Sequence, residues 1–391
     1  MTRLAISGLV ALMLVPQSLT AIPAFARRYR VSCSLCHSPV PKLTAFGEQF
    51  AGNGFRFASG EAPRDTIATG DSLLWLPDKV PLSLRVDAYA QAYSRGRAST
   101  DFQTPYIIKL LSSGPISKHL SYYMYVNLLE RGEFGGFEDA ILIVNDIAGK
   151  PIDVSVGQFQ VSDPLFKREL RLMFEDYAIY RARVGDEPAN LTYDRGIMAS
   201  VDVLGFTFTG ELLNGNGIGT ADSLRRFDEN GFKNLAGHLT RDFTSFLRLG
   251  AFGYYGRTRG EGERNRISMV GGDGTLVFGP VEFNGQYLHR EDTNPLFGPA
   301  VGTVKLDGGF VEGVWRPANS RWHAFGLYNR VSTTAPVLDV RLGGPAGVNR
   351  YQSVTGGVGY LVVRNLRLAG EIMRDLEQDE TRWTLGFVTA F

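Results

Sequence analysis

The chain has 391 residues, with Lys+Arg 41 against Asp+Glu 40 and a net charge of +1, so it lacks the basic excess of a nucleic-acid-binding protein. Hydrophobic residues make up an ordinary 44%, which excludes a bundle of membrane helices. Gly at 46 stands well above the usual ~7%, and 25 Phe, 16 Tyr and 4 Trp are plentiful. Glycine and aromatics without long apolar runs suit a sheet-rich chain with many tight turns.

Arg3 precedes an apolar stretch, Leu4 to Val15, followed by Pro16 and small or polar residues. A positive start and an apolar run too short to span a bilayer predict a cleaved signal peptide within residues 1–26, with cleavage after Ala21 or Ala26. Export would place the mature chain in an oxidising compartment.

Cys33-Ser34-Leu35-Cys36-His37 follows, and these are the two cysteines of the chain. C-x-x-C-H is the attachment signature of haem c. Two thiols on one turn can add to the two vinyl groups of one haem, and the adjacent His37 then lies beneath the ring as proximal iron ligand. A zinc site would need two further Cys or His ligands nearby, and none occurs before His119. A redox C-x-x-C would need a βαβ setting that the surrounding sequence lacks, and a Cys33–Cys36 disulfide is the plain structural alternative.

After the motif, Pro41 suits a helix start, Leu43, Phe46 and Phe50 share one face, and Gly52-Asn53-Gly54 offers a left-handed cap. That apolar face would cover the haem ring. Residues 27–79 are too few to build a core around a haem unaided, so this segment must lean on the rest of the chain. No Met or second His lies between Val40 and Val80, so the sixth iron position is open or is filled from elsewhere.

Residues 80–391 break into alternating segments of about ten residues separated by Gly, Pro, Asn and Asp. The spacing predicts strands over 82–94, 104–113, 118–130, 136–147, 151–161, 194–203, 206–214, 231–241, 245–256, 264–278, 281–290, 303–316, 321–331, 350–363, 366–376 and 381–391. Connections after even-numbered strands are tight, as at Gly114-Pro115, Gly149-Lys150, Gly279-Pro280, Pro317 to Ser320 and Arg364-Asn365. Several after odd-numbered strands are long. Short periplasmic turns, long outer loops and an aromatic last residue, Phe391, predict an all-β fold, an outer-membrane barrel of about 16 antiparallel strands with the haem segment as plug. A soluble sandwich or propeller is the alternative, weakened by the absence of a repeat of propeller length. Ser162 to Tyr193 either folds into the lumen or hides two more strands.

Parity gives candidates for a distal haem ligand. Met198 aligns with Ser200 and Asp202, His238 with Asn234 and Thr240, Met373 with Glu371 and Asp375, and His119 with Ser121 and Asn127. Each reads first as an ordinary interior side chain and only second as a ligand, and His289 and His323 have no clear parity. The acidic residues of the predicted outer loops read as a solvated rim.

Pro23, Phe25-Ala26-Arg27, the Cys33–His37 motif, Pro41, Leu43, Phe46-Gly47, Phe50 and Gly54-Phe55 together resemble the fused monohaem cytochrome c–porin family, known as ferrous-iron oxidases of iron-oxidising bacteria. Phe55 stands where that pattern has Tyr, and beyond this stretch the resemblance is architectural only. If the family retains Phe25-Ala26-Arg27, cleavage after Ala21 follows. The resemblance implies electron transfer across the bacterial outer membrane through one covalent haem c, from an extracellular donor such as Fe2+ to a soluble periplasmic cytochrome. It leaves open whether the chain is an enzyme, a ferrous-iron:cytochrome oxidoreductase. The alternatives are a haem-plugged or redox-gated porin and a haem enzyme or gas sensor, the last requiring an open sixth position.

Overall fold

A computed structural model of the chain describes residues 24–57, 70, 71, 73, 74, 80–95, 99–228, 230–260, 262–298, 302–340 and 344–391. The predicted signal-peptide core and a cleavage site after Ala21 lie outside them. Sixteen antiparallel strands close into a barrel: β1 (Leu82–Tyr93), β2 (Thr100–Pro115), β3 (Leu120–Glu130), β4 (Gly136–Val144), β5 (Ile152–Gln160), β6 (Tyr193–Val203), β7 (Phe206–Leu213), β8 (Asn234–Thr244), β9 (Leu247–Gly260), β10 (Glu263–Phe278), β11 (Val281–Asp292), β12 (Val304–Trp315), β13 (Trp322–Thr333), β14 (Arg350–Val363), β15 (Leu366–Asp375) and β16 (Glu380–Ala390). Each strand pairs with its sequence neighbours. The ring shuts where β1 meets β16, from Arg85 opposite Ala390 to Tyr93 opposite Arg382.

Closure leaves no unpaired sheet edge, which is the condition for crossing lipid with strands. The two faces are inverted relative to a soluble protein. Phe283, Val311, Trp322, Leu368 and Ile372 are exposed on the outer face, whereas Asp87, Lys109, Asn284, Glu312, Asn329 and Arg367 are buried on the inner one. Connections at one end are short, such as Leu204-Gly205, Gly279-Pro280 and Arg364-Asn365. At the other end 161–192, 214–233, 293–303 and 334–349 are long, whereas β3 and β4, β9 and β10, and β15 and β16 are joined by five, two and four residues. The short-turn end is periplasmic by this asymmetry, and both Leu82 and Phe391 lie there, joined by Leu84 N–H donating to the Phe391 carbonyl at 2.6 Å. The predicted turn at Gly114-Pro115 lies further on. These two residues continue β2, with Pro115 opposite Ser121, and the reversal falls at 116–119.

Residues 161–192 are a long loop turned into the lumen. The strand-like run Phe174 to Tyr180 is not a strand: it leads into one helical turn, Ala178–Arg181, and a three-residue strand, Ala182–Val184, which joins Leu338–Val340 and Ala346–Val348 in a small separate sheet. Leu172, Tyr177, Ile179 and Tyr180 pack against inward residues Met269, Leu288, Leu306, Phe310 and Val331 as one apolar core. Tyr177 stacks on Phe310 with ring centroids 4.1 Å apart.

The wall also grips the loop by hydrogen bonds from β9 through β16 and on to β1 and β2. Thr258 and Asn265 bond Glu187, Gln286 bonds Tyr180, and Glu312 accepts from Tyr177. Asn329 bonds the Asp176 carbonyl, Tyr351 and Arg382 reach Glu175, Arg367 reaches the Leu172 carbonyl, and Arg85 and Lys109 reach Glu169. At the loop's centre Asp176 meets Arg168, Arg181 and Arg171 at 2.5, 3.1 and 3.8 Å. Burial alone would raise its carboxyl, and the three guanidiniums override that and hold it far below the usual carboxylate range.

Candidate haem site

Three short helices form the N-terminal segment: α1 (Ala24–Tyr29), α2 (Cys33–Cys36) and α3 (Ala45–Gly52). A one-turn helix fits C-x-x-C because it brings both cysteines to one side. Ser32 caps it, accepting from the Ser34 N–H, and His37 follows with its N–H bonded to the Cys33 carbonyl at 2.8 Å. The predicted helix after the motif starts later than Pro41. Thr44 is its N-cap, accepting from Gly47 N–H at 3.1 Å while its hydroxyl donates to the Leu35 carbonyl at 2.7 Å, so one side chain fixes α3 to α2.

The segment has a small aromatic core of its own. Phe25 meets Phe50 edge-on at 5.1 Å and stacks on Phe55 at 5.5 Å, and Phe55 stacks on Tyr123 of β3 at 5.3 Å. Phe46 and Phe50 pack into this cluster, which is where the apolar face predicted to cover the haem goes. A cleavage after Ala26 would cut through α1, whose Phe25 anchors the cluster and whose Ala24 N–H donates to Ser83 at 2.8 Å.

Polar contacts hold the segment in the periplasmic end of the lumen. Lys42 pairs with Glu282 at 2.9 Å, Arg56 with Asp146 at 3.1 Å, and Arg316 donates to the Ser38 carbonyl at 2.5 Å. The expectation of a short segment leaning on the barrel is met in this detail, and the segment sits at the mouth rather than at mid-height.

Between segment and wall lies a cavity of about 290 Å³, lined by Cys33 and His37 on one side and by Arg316, His323, Leu361 and Arg364 on the other. His37 Nδ1 is 2.9 Å from the Pro41 carbonyl oxygen. A metal-ligating histidine is typically held through its other ring nitrogen in this way, which leaves Nε2 for iron. Burial lowers the proton affinity of His37 against the opposing pull of the Pro41 and Lys42 carbonyls, which favours the neutral imidazole that ligates metal.

Cys33 and Cys36 are both free thiols, so the disulfide reading is not what the structure contains. Burial pushes both thiols up, opposite to the lowered thiol of a redox-active C-x-x-C. Among the described residues no group of three or more His, Cys, Asp or Glu is placed to hold a bare metal ion. The donor set therefore fits a covalently held haem: two half-buried thiols on one turn, an oriented imidazole beside them, a cavity, and Arg321 and Arg364 at its rim as cations for carboxylates.

Gly47 sets the distance between α2 and α3. A Cβ there would lie 2.3 Å from the Cys36 carbonyl oxygen. Gly47→Ala must push the helices apart, an overpacking cost of about 1–3 kcal/mol. The expected outcome is a folded barrel with a sharply reduced haem-to-protein ratio, measured by pyridine haemochrome absorbance. A full ratio would show that the α2–α3 contact does not govern attachment.

None of Met198, His238, Met373 and His119 lines this cavity. Met198 packs beside the apolar core of the lumen, His238 pairs with Asp273 at 2.9 Å, and Met373 is buried two residues from the outer end of β15. His119 lies on the β2–β3 turn, its Nδ1 3.2 Å from the Asn145 carbonyl oxygen. His289 faces outward near the outer rim, against Asp307 and Glu291. His323 is the histidine that shares the cavity with His37, and sequence parity alone gave it no face.

No family profile matches the chain, and no curated protein matches it. Similar solved structures are an anion-selective porin from Comamonas acidovorans (13% identity, 80% of this chain and 99% of that one, TM-score 0.57). A loop-deleted OmpT of Vibrio cholerae is another (12%, 80% and 99%, 0.55), and OmpF of Salmonella typhi in complex with daunomycin a third (11%, 80% and 98%, 0.55). Identities this low speak for the fold alone. The chain has the architecture of bacterial outer-membrane porins, a closed sixteen-stranded antiparallel barrel preceded by a short helical segment.

Proposed function

We propose that the chain is an outer-membrane electron-transfer protein carrying one covalent haem c, with an extracellular donor, Fe2+ by the family resemblance, and a soluble periplasmic cytochrome as acceptor. The observation that carries this reading is the C-x-x-C-H turn with His37 oriented by Pro41 over a cavity at the periplasmic mouth. Bound there, haem c supplies a one-electron iron couple. Cys33 and Cys36 would hold its edge, His37 would hold its iron, and Arg321 and Arg364, which line the cavity, would offset carboxylate charge.

The mouth position is short for delivery to a periplasmic partner and long for arrival from outside, across an apolar band about 25 Å tall. Aromatic side chains line part of that distance. From Phe55 the rings of Tyr123 and Tyr125 follow, 5.3 and 6.1 Å apart, and the Tyr125 hydroxyl touches that of Tyr193 towards the outer end. The same reading has export remove residues 1–21, keeping α1 whole.

A diffusion porin is the second reading, and the loop packed across the lumen weighs against it. The test is an anaerobic visible spectrum of air-oxidised protein before and after ferrous iron is added. A c-type Soret band that shifts, with sharp α and β bands, is the expected result. Reduction by dithionite but not by iron would remove Fe2+ as donor, and no haem spectrum from cells competent in c-type maturation would end the reading.

A further inference from the structure

Resting on that reading of the Cys33–His37 motif, we propose that His323 is the second axial ligand of the haem iron, supplied by the barrel wall. His323 is the second residue of β13, immediately after the periplasmic turn, and lies opposite Gly359 of β14. Trp322 before it points outward and is exposed, whereas the His323 ring points into the lumen with 3% of its surface exposed. There it lines the cavity that His37 lines from the other side.

Among the described residues, neither ring nitrogen of His323 has a hydrogen-bond partner. A buried imidazole left with two unpaired polar atoms costs stability and calls for a ligand. The other four histidines each have a ring nitrogen engaged: His37 with Pro41, His119 with Asn145, His238 with Asp273 and His289 with Asp307. Among the described residues, no methionine lines the cavity.

The backbone makes room for the ring. A Cβ on Gly359 would stand 2.2 Å from His323 Nε2 and 2.3 Å from Cε1, so the neighbouring strand is bare where the imidazole lies. Imidazole is a strong-field haem ligand, and two of them would keep the iron six-coordinate in both oxidation states, the condition suited to electron transfer rather than to gas binding. Without an acceptor on its second nitrogen, His323 lacks the partner that raises a ligating imidazole's basicity, which makes it the more readily exchanged of the two ligands.

The test compares full-length wild type, His323→Ala and Gly359→Ala, each with its haem content measured by pyridine haemochrome and its iron examined by electron paramagnetic resonance and visible absorption. Wild type is expected to be low-spin ferric. His323→Ala is expected to keep covalent haem, lose the low-spin signal, become high-spin with a blue-shifted Soret band, and recover the low-spin signal on adding imidazole. Gly359→Ala leaves every histidine and cysteine in place and is expected to weaken the low-spin signal by displacing the ring. Covalent haem with an unchanged low-spin spectrum in His323→Ala would overturn the ligand assignment, as would a high-spin wild type. Wild type without covalent haem would overturn the underlying haem reading instead, so the two failures are distinguishable.

Discussion

Replacing Cys33 and Cys36 together with Ala is expected to take the protein from one covalently attached haem to none, while the barrel folds as before. The thiols are unpaired, no barrel contact depends on them, and α2 is held by the Ser32 cap, by Thr44 donating to the Leu35 carbonyl and by the docked aromatic cluster. Peroxidase staining on a denaturing gel reads attachment, and heat-dependent migration of the same band reads the barrel. His37→Ala is expected to impair attachment and shift the Soret band, because the Pro41 carbonyl then orients nothing beneath the ring. Staining that survives in the double variant would mean that the motif carries no haem.

The motif was legible because its chemistry is local: two thiols and an imidazole within five positions need no tertiary information. The barrel was legible because alternation and turn residues repeat in every strand, and most predicted ends fall within a few residues of the observed ones. Where turn residues misled, pairing decided: Gly114-Pro115 reads as a reversal, yet it continues β2 against Tyr122 and Ser121. The loop 161–192 was legible only as an interruption. Its run from Phe174 to Tyr180 alternates like a strand, but its backbone is claimed by inward side chains, with Glu371 accepting from Phe174 N–H at 2.7 Å and Asn329 accepting from Ala178 N–H at 3.1 Å.

The wall side of the cavity was not legible, for a related reason. Parity tells which face of the wall a residue is on and nothing about its height, so Met373 near the outer end of β15 and His238 in mid-wall ranked with residues at the mouth. His323 follows Pro317 to Ser320, with no alternating residues before it to set its face. Only the register that puts it opposite Gly359 does so.

Reconstituted in a planar bilayer, the wild-type protein is expected to pass almost no ions, whereas a variant in which residues 164–189 are replaced by a short Gly-Ser linker is expected to open a porin-like conductance. A sixteen-stranded barrel is wide enough for an aqueous channel, so what fills it decides conduction. Here the lumen holds the N-terminal helical segment at the periplasmic end and, above it, the loop core of Leu172, Tyr177, Ile179 and Tyr180 against the wall. That core covers much of the inner wall, and the bonds that run from Thr258 round to Lys109 fix the loop in the path of water and ions. The loop's fold also rests on charge. Asp176 neutralises a cluster of Arg168, Arg171 and Arg181, so Asp176→Ala leaves buried guanidiniums facing one another, at a cost of about 3–5 kcal/mol. That variant is expected to show intermittent openings at a haem content equal to wild type, because the cluster belongs to the loop and not to the haem segment. Equal conductance in wild type and the loop-replaced variant would mean that the loop does not close the barrel, and diffusion through it would then be the better account of what the protein does.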